Sequence, residues 1–356
     1  MSNSPSPAML HRCSHHSFVP VGTRVQRAPC RTVDVHCHLL TPAVEALLAP
    51  HPTWQASKAE EAAALGEASR QTNEAQIALL RPRLTSVETR LADMDAMGVD
   101  VQLVSPAPTQ YHYWAEPDLA RQVVDLQNDN LSALCAAHPD RFRALGMVAM
   151  QDPKLAARQL EGLMRDRGFK GVEVSSLVNG RDLADRFFDP FWEAANRLQA
   201  VVFIHPWGTT LGTRLAEHYL MNTIGQPLET TICLSKLLYG GTLDRHPQLR
   251  IIAAHGGGFL PMYSGRTEHA YAARPEVGKD ASPPCESLRR LWFDSVVHDT
   301  AQLRQLIERV GADRVLLGTD YPFDMGHYDP AGLVAALPVE QQRMLLGENA
   351  AGLLQL

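Results

Sequence analysis

The chain lacks the features that would tie it to a membrane or to nucleic acid. Across 356 residues no apolar run approaches the roughly 20 residues of a membrane-crossing helix. There is no basic excess: 33 Lys and Arg stand against 39 Asp and Glu, a formal net charge of −6, which excludes a broad phosphate-binding surface. Cysteine is scarce. Six are scattered without CxxC spacing, which reads as reduced thiols in a cytoplasmic protein and not as a disulfide framework. Residues 1–31 contain no Asp or Glu, and no apolar core long enough for a secretory signal. Their four Arg and several Ser, Pro and His also fit an organelle transit peptide; a flexible arm over residues 1–30 is the simpler reading, with His11, His15 and His16 solvated. No G-x-G-x-x-G follows the first strand candidate, which disfavours a dinucleotide-binding sheet.

What is present is a set of apolar runs that end in metal-competent residues. The first is Thr32-Val33-Asp34-Val35-His36-Cys37-His38. Side chains alternate along a strand, so His36 and His38 share a face and Cys37 points away. The form recurs in Ala200–His205, Ile251–His255 and Val315–Asp320. Each residue has a plainer reading. The histidines suit a buried core, Asp320 a turn, and His255 the support of the glycine loop Gly256-Gly257-Gly258. Four strand-end matches in one chain favour a metal. Imidazoles with a carboxylate suit zinc; manganese and iron stay open.

The organisation supports this. Apolar strands are expected at Thr32–His38, Val99–Val104, Arg143–Met147, Gly171–Val174, Val201–Ile204, Leu249–Ala254, Leu291–Val297 and Arg314–Gly318. Helical pattern separates each from the next, over Asp118–Ala137, Pro153–Arg167, Pro190–Leu198, Leu211–Tyr239 and Thr300–Val310 among others. Continuous apolar runs suit parallel strands buried on both faces. Eight strand–helix repeats predict a (β/α)8 TIM barrel over residues 31–356, with a helical insertion near residues 50–80 after strand 1. In such barrels, functional residues gather at the C-terminal strand ends, where the candidate ligands fall.

The motifs H-x-H, His205-Pro206-Trp207, His255-Gly256-Gly257-Gly258 and Gly318-Thr319-Asp320-Tyr321-Pro322-Phe323 together resemble the decarboxylase branch of the amidohydrolase superfamily. Tyr113-Trp114-Ala115, Glu229-Thr230-Thr231, Val297-His298-Asp299 and Asn349-Ala350 extend the resemblance from about Arg31 to the C-terminus. It implies that His36, His38, His205 and Asp320 bind one divalent metal with a water in the remaining position, and that His255 hydrogen-bonds that water as acid/base. It implies that Arg90 and Arg266 hold substrate carboxylate, with Arg266 reaching a neighbouring subunit's pocket in a homodimer. On its own, Arg90 reads as a solvated helix charge. Phe323 is implied to line the pocket, and Trp207 and Tyr219 are candidate substrate contacts, with packing an equally suitable role. Tyr219 stands where the family has tryptophan, and Gly208 follows His205-Pro206-Trp207 where many members have aspartate; both leave the substrate open. His298 and Asp299 are candidates for hydrogen bonds behind the metal ligands, with helix capping equally suitable for Asp299.

The reaction implied is metal-dependent, non-oxidative decarboxylation of a small unsaturated or aromatic carboxylic acid, with no organic cofactor. The alternative is hydrolysis of a lactone or amide, or hydration of a double bond, on the same barrel. A non-catalytic metal-binding scaffold is the third reading.

Overall fold

The structure, a computed structural model, describes residues 18–278 and 281–356. His11, Cys13, His15 and His16 lie outside the described residues. Eight parallel strands follow in chain order: β1 (Val33–Leu39), β2 (Val101–Pro106), β3 (Phe142–Gly146), β4 (Gly171–Ser175), β5 (Val201–His205), β6 (Arg250–Ala253), β7 (Trp292–Asp294) and β8 (Val315–Leu316). The ends meet. Val35 N–H donates to the Leu317 carbonyl at 2.9 Å, Asp320 N–H to the His36 carbonyl at 2.8 Å, and His38 N–H to the Tyr321 carbonyl at 2.8 Å. The fold is the expected (β/α)8 barrel.

Between β1 and β2 lie four helices, α1 (Pro42–Leu48), α2 (Pro52–Leu65), α3 (Glu67–Thr85) and α4 (Val87–Met97). The outer layer continues with α5 (Pro117–Ala137), α6 (Pro153–Arg167), α7 (Asp189–Leu198), α8 (Gln226–Tyr239), α9 (Thr242–Arg245), α10 (Ser264–Ala273), α11 (Pro284–Leu288) and α12 (Thr300–Val310). Caps set several of these. Asp152 accepts from Leu155 N–H at 3.0 Å to start α6, and Gly168 ends it in the left-handed region. Before α4, residues 18–30 carry no regular secondary structure, and Val25 N–H bonds the Ala96 carbonyl at 3.0 Å.

The barrel interior is apolar at its base. Val33, Val35, Leu103, Leu145, Phe203, Ile252 and Leu316 fill it, and Leu353 and Leu354 near the C-terminus cover it. The opposite faces of the strands pack the outer helices, as Val172, Ile204 and Ile251 do. Burial of this kind stabilises by about 25 cal/mol per Å² of apolar surface.

Three expected boundaries move, each for a local reason. Strand 2 starts at Val101 because Gly98 turns left-handed and Val99 N–H still bonds the Met94 carbonyl at 2.8 Å. Strand 7 ends at Asp294, whose carboxylate turns back to accept backbone N–H groups of His255, Gly256 and Val296. The expected helix over Leu211–Tyr239 breaks, since His218 and Tyr219 have φ of 56° and 58°; a π-helical turn, Met221–Gly225, then leads into α8.

Candidate metal centre and active site

His36 and His38 sit at the end of β1, His205 ends β5, and Asp320 follows β8. One ligand atom from each lies within 4.8 Å of the others, and all four residues are buried. His36 Nε2 is 3.1 Å from His38 Nε2 and 3.3 Å from an Asp320 oxygen, and His38 Nε2 is 3.4 Å from that oxygen. Bonds of about 2.1 Å in a tetrahedron place neighbouring ligand atoms about 3.4 Å apart, so this spacing suits a small divalent ion. His205 supplies a second test of fit. Its rings stand 5.0 Å from those of His36 and His38, and although it is buried neither of its nitrogens has a hydrogen-bond partner. Orphaned ring nitrogens aimed at a cluster of imidazoles and a carboxylate fit a metal ligand better than a core histidine.

The electrostatics agree. Burial and the neighbouring His38, His36 and His255 hold His205 well below the usual imidazole range, so it stays neutral with a lone pair to donate. Burial works against the Asp320 charge, but His36 chiefly, with the neighbouring His255 and His38 imidazoles, holds its carboxyl well below the ordinary range. Burial works against protonation of His36 as well, yet Asp320 and Asp294 raise it well above the usual value, so a metal must displace a proton there.

Behind the ligands stand carboxylates that the motif reading missed. Asp294 Oδ2 is 2.6 Å from His36 Nδ1 and accepts the His255 backbone N–H at 2.9 Å. Glu173 on β4 lies 3.6 Å from His38 Nδ1 and accepts from the Tyr111 hydroxyl at 2.5 Å. Carboxylates behind ligating histidines fix ring orientation and tautomer. Both carried a signal: Asp294 also ends an apolar run, and Glu173 is a charge inside one. Asp299, considered for this role, instead caps α12 by accepting from Ala301 and Gln302 N–H. His255 and Asp320 both have positive φ, 54° and 57°, a strained conformation for a non-glycine residue.

Residues 33–356 match the family described as amidohydrolase. The chain belongs to that family. It is 34% identical over 268 residues to a 2-amino-3-carboxymuconate-6-semialdehyde decarboxylase of Dictyostelium discoideum, covering 74% of this chain and 75% of that protein. The crystal structure of 5-carboxyvanillate decarboxylase from Sphingomonas paucimobilis superimposes with a TM-score of 0.78 at 27% identity, over 92% of this chain and 100% of that one. A dihydroxybenzoic acid decarboxylase from Polaromonas sp. JS666, solved with bound manganese and 2-nitroresorcinol, shares the fold at a TM-score of 0.77 and 23% identity, over 92% and 97% of the two chains. The chain is thus an amidohydrolase-superfamily protein of the decarboxylase branch.

This amidohydrolase has a cavity of about 180 Å³ at the barrel mouth, with His205, His255 and Asp320 on its floor. Trp207, Tyr219 and Phe323 line it as the sequence suggests, and the Phe323 ring is 5.6 Å from that of His38. His255 Nε2 is 3.7 Å from Asp320 Oδ2. Cys37 is buried on the opposite face, its thiol 3.4 Å from the Leu103 carbonyl, and is no ligand.

Two expected carboxylate anchors are not in this cavity. Arg90 is fully buried beneath it, where α4 packs on the barrel. Its guanidinium donates to Gln102 Oε1 at 3.0 Å and to the His38 carbonyl, and stacks 4.8 Å from the Tyr321 ring centre. Both Nη groups face the protein, Nε has no partner, and Arg90 does not line the cavity; through the His38 carbonyl it braces the backbone that presents His38. Arg90→Ala is therefore expected to destabilise the fold by about 1–3 kcal/mol for each buried acceptor left unpaired. Thermal unfolding checks this: a raised KM at unchanged stability would return Arg90 to the substrate. Arg266 lies exposed on α10, outside the pocket of its own chain.

Proposed function

We propose that the chain is a metal-dependent, non-oxidative decarboxylase of an unsaturated or aromatic carboxylic acid. The observation that carries this reading is the shared pocket floor, where the ligand cluster and His255 face one aromatic-walled cavity. His36, His38, His205 and Asp320 would hold one divalent ion, with zinc the ion best suited to that donor set. When bound, such an ion supplies Lewis-acid charge to a substrate oxygen.

The remaining steps belong to the chain. Trp207, Tyr219 and Phe323 clasp the flat, conjugated part of the substrate and exclude water. His255 is the acid/base: its backbone is tied to Asp294, and its ring stands beside Asp320 over the cavity. It delivers a proton to the carbon bearing the carboxylate. The C–C bond then breaks, its electron pair returns to the conjugated system, and CO2 leaves. The decarboxylase relatives favour this over the hydrolytic alternative. The test is to incubate metal-loaded protein with carboxylated phenols, amino-carboxymuconate and lactones. CO2 release from an acid is the expected result; lactone opening with no CO2 from any acid would overturn the reading.

We also propose a cytoplasmic homodimer in which Arg266 faces the substrate carboxylate of its neighbour. Arg266 is exposed beside Phe259 and Tyr263, which are 38% and 68% exposed, an aromatic rim of the kind that interfaces cover. The free cysteines Cys30, Cys37, Cys135, Cys233 and Cys285 support a reducing compartment. Arg266→Ala and His255→Ala homodimers should each be inactive, and mixing them under subunit exchange should restore one working site per heterodimer. No recovery after demonstrated exchange would place Arg266 outside a partner's site.

A further inference from the structure

The wall opposite the metal cluster comes from α3, whose Asn73, Gln76, Ile77 and Leu80 share one helix face and line the cavity. No Lys or Arg lines this cavity among the described residues, while Asp324 does. The nearby cations are engaged elsewhere. Arg70 pairs with Glu67 and Glu74, Arg81 with Glu45 at 2.7 Å, and Arg83 with Asp93 at 2.8 Å. Arg90 faces Gln102 and the His38 carbonyl, and Lys58 stacks over Trp54. A second carboxylate pressed against this wall would lose water and gain no cation. Carboxamides, in contrast, offer both a donor and an acceptor to an uncharged group.

The wall is held in place. Gly66, at the corner between α2 and α3, has φ of +81°, and a Cβ there would lie 1.8 Å from the Ala216 carbonyl oxygen in the loop after β5. Trp207 Nε1 donates to Glu61 of α2 at 3.4 Å. The pair of helices therefore rests on the segment that carries His205, which keeps Asn73 and Gln76 over the site.

We infer that this pocket selects a substrate with one carboxylate, and that Asn73 and Gln76 are specificity-determining residues that read an uncharged hydrogen-bonding substituent at its other end. This deepens the decarboxylase reading and rests on it. The single carboxylate lies at the metal end, where a partner's Arg266 can share it. The far end carries an amide, hydroxyl or similar group.

The test uses two ligands of one shape: salicylate with a carboxamide para to its hydroxyl, and salicylate with a carboxylate there. Calorimetry with the metal-loaded full chain carrying His255→Ala, which should keep its metal and lose turnover, reads binding apart from CO2 release. The amide should bind at least about tenfold more tightly, since only the acid buries an unpaired charge. Gln76→Arg and Asn73→Arg, both on a solvent-bordered helix face, should each reverse the order. Equal or tighter binding of the diacid by wild type overturns the inference, as do folded arginine variants that keep the wild-type ratio. A diacid preference that vanishes in Arg266→Ala overturns it too, by showing that a partner supplies the missing cation. The two readings fail separately: the expected binding ratio without CO2 from any acid sinks the decarboxylase reading, and CO2 released faster from diacids sinks the specificity inference.

Discussion

Asp320→Asn and His36→Ala should each strip most of the bound metal and remove nearly all turnover. Asp320 is the only carboxylate among the four ligands, and its oxygen stands 3.3 and 3.4 Å from the two β1 imidazoles. Replacing it with an amide keeps the volume but removes the charge that offsets a divalent cation. His36→Ala acts differently. It deletes a ligand and also leaves Asp294, buried at 0% exposure, without its imidazole partner. Breaking one side of a buried charged pair costs about 3–5 kcal/mol, so this variant should melt earlier. Metal content by elemental analysis, with thermal unfolding beside it, separates the two effects. Full metal occupancy in both variants would show that the ligand set is wrong.

His255→Ala should keep its metal and lose turnover by about 10²-fold or more, the usual consequence of removing a general acid/base. The ring lies outside the group of four ligands, and its Nε2 is 3.7 Å from Asp320 at the same cavity. The backbone there is held by Asp294 through the His255 and Gly256 N–H groups, so truncating the side chain should leave the loop in place. Loss of the metal along with activity would make His255 a ligand and require a different proton donor.

Much of this site was legible because a barrel converts sequence periodicity into position. An apolar run must end where its strand leaves the barrel, and His36, His38, His205 and Asp320 each follow such a run. The same rule reached Asp294, which ends the run before β7 closes, but attention to His298 and Asp299 passed over it. Arg90 shows a missed periodicity. Arg90, Asp93, Met94 and Met97 are spaced as one helix face, and that whole face is buried, so the arginine follows its methionine neighbours inward. The α3 wall could not be read in this way. α3 is polar around most of its circumference, and only its seat on the loop after β5 decides that Asn73 and Gln76 look into the cavity.

The most direct test joins metal and chemistry in one sample. The protein is stripped with a chelator and supplied with a carboxylic acid that the intact protein turns over, its carboxyl carbon labelled with carbon-13. Metal is then titrated back while labelled CO2 and bound metal are measured together. The account predicts no release from the stripped chain, and release that rises in step with occupancy and levels off at one ion per chain. Undiminished release from the stripped protein, or restored metal that yields no labelled CO2, would contradict it.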